Sequence, residues 1–218
     1  MKKLLAGLVF LTTLGTVNAA TAATLFRANL EGSQVVPSTP SSAGGFATFT
    51  LNDDQTALEY FIQLDGLTLK SDISERTQPQ DVTKIHLHVA APGANGPHVL
   101  NIFGLPSEDD GDLKINFATG ALSGIWNDSD VVDLNGNGLA DPNETKPLTA
   151  FLDELFAGQL YVQVHTVEFD TPTGFPGELR GQISAVPEPS TVLGMSFVLG
   201  AGVLIQGKKK QRRDKGAA

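Results

Sequence analysis

The chain has 218 residues, no cysteine and a formal net charge of −9. This length allows one domain of moderate size or two small ones, and the lack of cysteine excludes disulfides, a thiolate nucleophile and cysteine-ligated metal centres. The acidic balance argues against nucleic acid as a partner, and the 23 glycines and 12 prolines favour β-structure with many turns over a helical bundle.

Residues 1–22 have the pattern of a secretory signal peptide. Lys2 and Lys3 precede an apolar run from Leu4 to Leu14, and small residues with several alanines follow. The alternative is a permanent membrane anchor, but the apolar run is short for one. We therefore expect the chain to be exported, with cleavage at one of the alanines between positions 19 and 22.

Alternating apolar and polar residues predict a series of strands within residues 23–185. The predicted strands cover residues 24–30, 46–51, 58–65, 82–89, 98–103, 113–117, 121–126, 161–166 and 178–184. Their number and spacing favour a mostly β fold, an antiparallel Greek-key β-sandwich.

One short helix interrupts the strands after Pro147. Five apolar residues at helical spacing predict it: Leu148, Phe151, Leu152, Leu155 and Phe156. Gly158 follows its end, as is typical of helix termination. We expect this helix to cover one end of the sandwich.

Three histidines of the domain are candidate ligands of a transition-metal site. His86 and His88 alternate with apolar residues and share the outer face of one strand, and His165 lies on the outer face of another. Side chains two residues apart on a strand are roughly 6–7 Å apart, close enough to chelate one ion, and imidazole suits zinc or copper.

If these strands are neighbours, Glu178 or Arg180 can join the three histidines outside the core. His98 is the weaker candidate, because it shares strand parity with Leu100 and Ile102. The alternative is that the histidines only hydrogen-bond to neighbouring groups and hold the sheet register. We expect no catalytic residue and no organic cofactor, since no Gly-x-Ser-x-Gly motif occurs.

A calcium-loop pattern lies in an apparent insertion at about residues 127–147. It matches D-x-[DN]-x-[DN]-G-x5-E in full, and Gly138 permits the sharp turn. The expected calcium ligands are Asp133, Asn135, Asn137, Leu139, Asp141 and Glu144. The two asparagines lower the ligand charge and should weaken affinity, and the alternative is a solvated acidic loop.

Four segments carry a resemblance to a known family: residues 86–88, 91–97, 158–166 and 177–183. With their His-Leu-His, Val-His-Thr and Gly-Glu-Leu-Arg-Gly-Gln motifs they resemble the CHRD domain, repeated in chordin and found alone in bacterial exported proteins. The resemblance runs over about residues 24–184. It implies a β-sandwich and an extracellular setting, but no settled biochemical activity.

The histidine pair also resembles the copper-binding strand of copper–zinc superoxide dismutase. The dinuclear centre of that enzyme needs more histidines than the four of this chain, so a full copy is excluded. A mononuclear copper or zinc site is compatible with the composition.

Residues 186–213 resemble a PEP-CTERM sorting signal. Pro187, Glu188 and Pro189 precede an apolar stretch over residues 191–205 and a basic cluster at 208–213. The stretch is short for a membrane span, whose lower limit is roughly 17 residues, and the basic cluster should stay cytoplasmic. The resemblance implies processing by an exosortase-type protease, and the alternative is a plain membrane anchor.

The sequence thus favours an exported, surface- or matrix-associated binding module that calcium stabilises. Extracellular polysaccharide or an envelope protein is the expected partner, with a C-terminal helix in the inner membrane before processing. The competing hypothesis is a small metalloprotein or oxidoreductase with a mononuclear copper or zinc site on the outer sheet face.

Overall fold

The computed structural model describes residues 23–104, 112–132, 144–169 and 177–187. Their strands are β1 (Thr24–Glu31), β2 (Gly44–Leu51), β3 (Ala57–Asp65), β4 (Val82–Val89), β5 (His98–Gly104), β6 (Lys114–Asn116), β7 (Ala121–Asn127), β8 (Leu160–Thr166), β9 (Leu179–Gln182) and β10 (Ser184–Ala185). One α-helix, α1 (Leu152–Phe156), lies among them.

The ten strands form one sheet with the order β5-β4-β8-β9-β1-β2-β3-β7-β6, and β10 pairs with β1. All the strand pairs are antiparallel, and one isolated bridge between Thr68 and Asp81 is parallel. The fold is therefore mostly antiparallel β-structure with one short helix, as the sequence predicts. The sheet has the form of a half-barrel, and the Greek-key sandwich stays a prediction.

The core lies inside the curve of this sheet. Ile85, Leu87 and Val164 from one half belong to the same buried cluster as Phe49 and Ile62 from the other half. Because each strand alternates its side chains between two faces, the apolar residues of all these strands meet on the concave side. The polar residues between them are left on the convex side.

The strand predicted at residues 178–184 is split at Ile183. β9 lies between β8 and β1, and β10 continues beside β1, with Phe26 opposite Ala185. The strands predicted at residues 113–117 and 121–126 are present as β6 and β7, which pair antiparallel.

The helix predicted over residues 148–156 is present, but only its second half has α-helical geometry. A 3₁₀ helix covers Leu148–Phe151, and only Leu152–Phe156 is α-helical. Leu148 and Leu155 are fully buried, and the Phe156 ring lies edge-on to Phe26 at 5.5 Å. Packing against the sheet therefore uses the predicted apolar stripe without a continuous α-helix, since tertiary contacts outweigh helical propensity in so short a segment.

The predicted signal peptide and most of the predicted sorting segment lie outside the described residues. Pro187 is described, whereas Glu188, Pro189 and the apolar stretch that follows are not. Within the described part of the chain, no helix is long and apolar enough to cross a membrane.

Candidate metal centre

β4 places His86 and His88 on the convex face of the sheet. Ile85, which precedes His86, and Leu87, which lies between the two histidines, are fully buried in the core. The alternation predicted for residues 85–88 is therefore confirmed. The rings of the two histidines have centroids 5.7 Å apart. Their strand lies between β5 and β8, which supply the other polar side chains of this face.

His98 joins this face, so the parity argument that set it apart is wrong. His88 lies opposite His98 and Leu87 opposite Leu100, so one extra residue, Val99, is inserted in β5 at this point. A β-bulge of this kind reverses the alternation of the residues on either side of it. A second register shift lies between Ile85 and His86.

The three histidines of β4 and β5 form a compact group, the three-histidine cluster (His86, His88 and His98). One ligand nitrogen from each lies within 4.8 Å of the other two. The His98 ring is 3.7 Å from that of His86 and 4.7 Å from that of His88, measured between centroids. Two nitrogens bound to one ion are at most about 4.2 Å apart, so small side-chain rotations suffice to close the cluster on a metal.

The imidazole nitrogens of this cluster are largely without hydrogen bonds. Both nitrogens of His86 and of His98, and Nε2 of His88, are buried and have no hydrogen-bond partner among the residues that the structure describes. Buried polar atoms in native proteins nearly always have a partner. A bound ion would supply the missing partner for all three side chains at once.

His165 of β8 lies beside the cluster. Its ring centroid is 5.3 Å from that of His86, but His165 is not among the residues whose ligand atoms converge within 4.8 Å. The sequence predicts Glu178 or Arg180 as a further neighbour of the histidines. The Glu178 carboxylate instead accepts hydrogen bonds from the hydroxyls of Ser41 and Thr166. The role of His165 as a metal ligand stays a prediction.

Burial keeps the cluster neutral. Burial lowers the pKa of His88 to about 4, although the hydrogen bond to Gly96 opposes this shift, and lowers that of His98 to about 3. Burial, followed by the fields of His98 and His165, holds the pKa of His86 well below 6.5. The imidazoles are therefore unprotonated at neutral pH, which is the state that binds a metal ion.

A stack of side chains orients His88. Its Nδ1 donates a hydrogen bond to the carbonyl of Gly96 at 2.9 Å, which leaves Nε2 as the candidate ligand atom. The ring of Tyr161 is stacked on His88 with centroids 5.1 Å apart and an interplanar angle of 11°, and the Arg180 guanidinium lies 3.7 Å from the Tyr161 centroid. We call Arg180, Tyr161 and His88 the ligand stack.

The sequence predicts Arg180 as a possible neighbour of the histidines but gives Tyr161 no role. Tyr161 could have been found from strand parity, because it alternates with Val162 and shares the outer face with His165. The registers place Tyr161 opposite His88 and Arg180 opposite Gln163.

The expected calcium ligands fall mainly outside the described residues. Asp133, Asn135, Asn137, Leu139 and Asp141 are not described, whereas Glu144 is, with 3% of its surface exposed. A Glu144 carboxylate oxygen lies 3.8 Å from the Lys146 ammonium. The backbone amide of Lys146, two residues after Glu144, donates a hydrogen bond to the Val99 carbonyl of β5.

A half-barrel sheet with a histidine-lined convex face defines a small β-domain with a candidate metal centre. Residues 26–183 match the model of the CHRD domain, and the chain belongs to this family. The match covers all four histidines and the ligand stack. No curated protein and no solved structure matches the chain.

Proposed function

We propose that this CHRD domain is a non-enzymatic binding module that holds one transition-metal ion through His86, His88 and His98. The observation that carries the proposal is the convergence within 4.8 Å of one nitrogen from each histidine, in a cluster where five of the six ring nitrogens have no hydrogen-bond partner in the described part of the chain. Neutral imidazoles without thiolates suit copper or zinc among the biological metals.

Metal loading of the full chain tests this proposal. We expect the metal-stripped protein to retain about one equivalent of Zn²⁺ or copper after desalting, and His98→Ala to retain much less. His165→Ala is the matched variant, because it removes a neighbouring imidazole outside the converging group. Loss of metal in His165→Ala with full retention in His98→Ala would contradict the assignment and favour the sequence-based ligand set.

An oxidoreductase with the same mononuclear centre is the second candidate. Three neutral histidine ligands also hold redox-active copper, which is the specific observation in its favour. A copper-loaded chain that consumes oxygen catalytically in the presence of ascorbate, above free copper and above His98→Ala, would support this candidate. Equal rates of oxygen consumption for the wild-type chain and His98→Ala would exclude the oxidoreductase.

We further propose that the module is exported and held at the cell envelope or in the extracellular matrix. The support is the signal-peptide pattern of residues 1–22, the sorting pattern of residues 186–213 and the family's occurrence in exported proteins. The same proposal includes a Greek-key sandwich between an N-terminal signal helix and a C-terminal transmembrane helix. Its partners are an exosortase-type protease during processing, and then polysaccharide or an envelope protein.

Mass spectrometry of the mature protein tests the export proposal. We expect no peptides from residues 1–18 and none beyond about Pro189. An intact basic tail over residues 208–215 in the mature fraction would favour a plain membrane anchor over processing.

Calcium binding by residues 133–144 is the last part of the proposal, supported by the complete match to the loop pattern. We expect millimolar Ca²⁺ to raise the melting temperature of the chain, and Glu144→Gln to abolish this increase, because Glu144 occupies the bidentate position. Asp53→Asn, at an exposed turn, is the matched control. A wild-type melting curve that Ca²⁺ does not change would contradict the site.

A further inference from the structure

The ligand stack has a buried positive charge at its outer end. Arg180 is 1% exposed. Its guanidinium donates to the carbonyls of Ala94 at 2.7 Å and Ala91 at 3.3 Å, and to the side-chain oxygen of Gln182 at 2.9 Å. All three acceptors are neutral, and no carboxylate of the described residues pairs with Arg180.

A buried arginine normally lies beside a carboxylate, because an uncompensated charge in the interior is costly. Among the described residues, the π-face of Tyr161, 3.7 Å from the guanidinium carbon, provides the electrostatic compensation besides the neutral acceptors. The charge is thereby placed one aromatic ring away from His88. Its field reaches that residue, because the guanidinium lies on the Tyr161 ring, which is in turn stacked on the His88 ring.

The three-histidine cluster itself brings no negative charge. Its ligands are three neutral imidazoles, so a bound ion keeps its full formal charge in a buried place. A dication in such a place pays a larger desolvation cost than a monocation and is repelled twice as strongly by Arg180. Three histidines also leave zinc a fourth position that water must fill.

We propose that the three-histidine cluster prefers monovalent copper to divalent ions, and that Arg180 sets this preference through the ligand stack. The inference rests on the proposed metal site and names the ion that this site takes. Arg180 is a positioning residue, because it acts on His88 through Tyr161 and does not touch the ion. No redox step is involved, since copper is supplied and kept in the reduced state.

Competition titrations on the full chain test the preference. Cu⁺ affinity is measured without oxygen against bicinchoninate, and Zn²⁺ affinity against a chromogenic chelator. We expect the wild-type protein to bind Cu⁺ far more tightly than Zn²⁺. Tighter binding of Zn²⁺ would overturn the inference and leave the metal site intact, whereas retention of neither ion would contradict the proposed function itself.

Variants of Arg180 test its role. Arg180→Gln should lower the ratio of Cu⁺ to Zn²⁺ affinity by about three- to tenfold, by tightening Zn²⁺ binding, because one unit charge at this range contributes about that factor. Arg180→Lys keeps the charge and should keep most of the ratio. A purely structural role would weaken both ions alike and leave the ratio unchanged, which would overturn the role assigned to Arg180.

Arg76→Gln is the matched control. Arg76 is also buried and lies 4.2 Å from an aromatic centroid, but its partner is Phe103 of the core and not a ring stacked on a ligand. We expect its affinity ratio to equal that of the wild type. If Arg180→Gln does not fold, the wild-type comparison of Cu⁺ with Zn²⁺ still decides the preference.

Discussion

At the scale of single residues, the main feature is a group of imidazoles that are buried and neutral. The pKa of His88 is about 4 and that of His98 about 3, because burial penalises the charged form of both rings. In the unfolded chain a histidine titrates near its ordinary pKa of about 6.5. The difference between these states makes stability depend on pH.

We predict that the metal-free chain loses stability as the pH falls from about 6.5 to 4. Over this range the unfolded chain binds protons that the folded chain does not, so the free energy of unfolding falls by up to about 1.4 kcal/mol per pH unit for each such histidine. Urea denaturation in EDTA at pH 7.5, 5.5 and 4.5 measures this fall in the free energy of unfolding.

The variant His98→Gln separates the contribution of the histidines to this loss of stability from that of the carboxylates. His98→Gln should show a shallower decline than the wild type over the same range. Burial alone would raise the pKa of Asp81, but hydrogen bonds from Lys70, Gln78 and Thr77 lower it below 3.8, so this carboxylate matters only at lower pH. Identical pH profiles for wild type and His98→Gln would contradict the assignment.

The three-histidine cluster could be predicted from the sequence only in part. His86 and His88 follow from simple alternation on one strand, and the structure confirms their face. His98 does not, because the inserted Val99 reverses parity in β5, and nothing in the composition of residues 98–104 marks that insertion. A bulge depends on pairing with a partner strand, which a local pattern does not contain.

At the scale of elements, the loop of residues 90–97 connects β4 to β5 and lies against the ligand stack. The Gly96 carbonyl accepts the hydrogen bond from His88, and the Gly96 amide donates to the Tyr161 hydroxyl at 3.1 Å. Val89 donates to the Pro97 carbonyl at the base of the loop. Loop conformation and ligand orientation are therefore coupled.

We predict that Gly96→Ala destabilises the chain by about 2–3 kcal/mol and weakens metal binding. A Cβ on Gly96 would lie 1.8 Å from the carbonyl oxygen of Val89, so the backbone must move and carry His88 with it. Denaturation and metal titration measure the two effects.

Gly93→Ala in the same loop is the control for this prediction. Gly93 has a φ of +79°, but its Cβ would meet nothing within 4 Å, so we expect only the backbone cost of about 1 kcal/mol and unchanged metal binding. Equal effects of the two substitutions on metal binding would show that the loop does not control the ligand.

Strands were more predictable than the helical segment. β4 has the bounds predicted for it, Val82 and Val89, and Ile85, Leu87 and Val89 alternate with polar residues along most of its length, although a register shift next to Val82 interrupts the period there. The apolar spacing of residues 148–156 identifies a buried stripe, but 3₁₀ and α geometry both produce such a stripe over two turns. Packing against the sheet decides between them.

At the scale of the whole molecule, charge is unevenly distributed. Residues 23–185 contain seven basic and twenty-two acidic side chains, which leaves a net charge of −15, whereas the flanking segments are basic. Such a charge destabilises a compact state through self-repulsion. The core inside the curved sheet must offset this repulsion.

We predict that raising NaCl from 20 mM to 500 mM, in EDTA, increases the melting temperature of the chain. Salt screens the repulsion, since the Debye length falls from roughly 20 Å to about 4 Å. Scanning calorimetry measures the shift, and 1 M glucose, which does not screen charge, is the control for other solute effects. A melting temperature that falls with NaCl would show that attractive ion pairs such as Lys70–Asp81 dominate instead.

The pairing of β10 with β1 brings the two ends of the described domain together. Phe26 lies opposite Ala185, and the Val186 amide donates to the Leu25 carbonyl at 2.8 Å. Because its two ends are close together, such a domain can be inserted into a surface loop of a host protein without separating the ends of that loop. The same closeness makes residues 23–187 a suitable unit for circular permutation, with new ends at the exposed turn between β2 and β3.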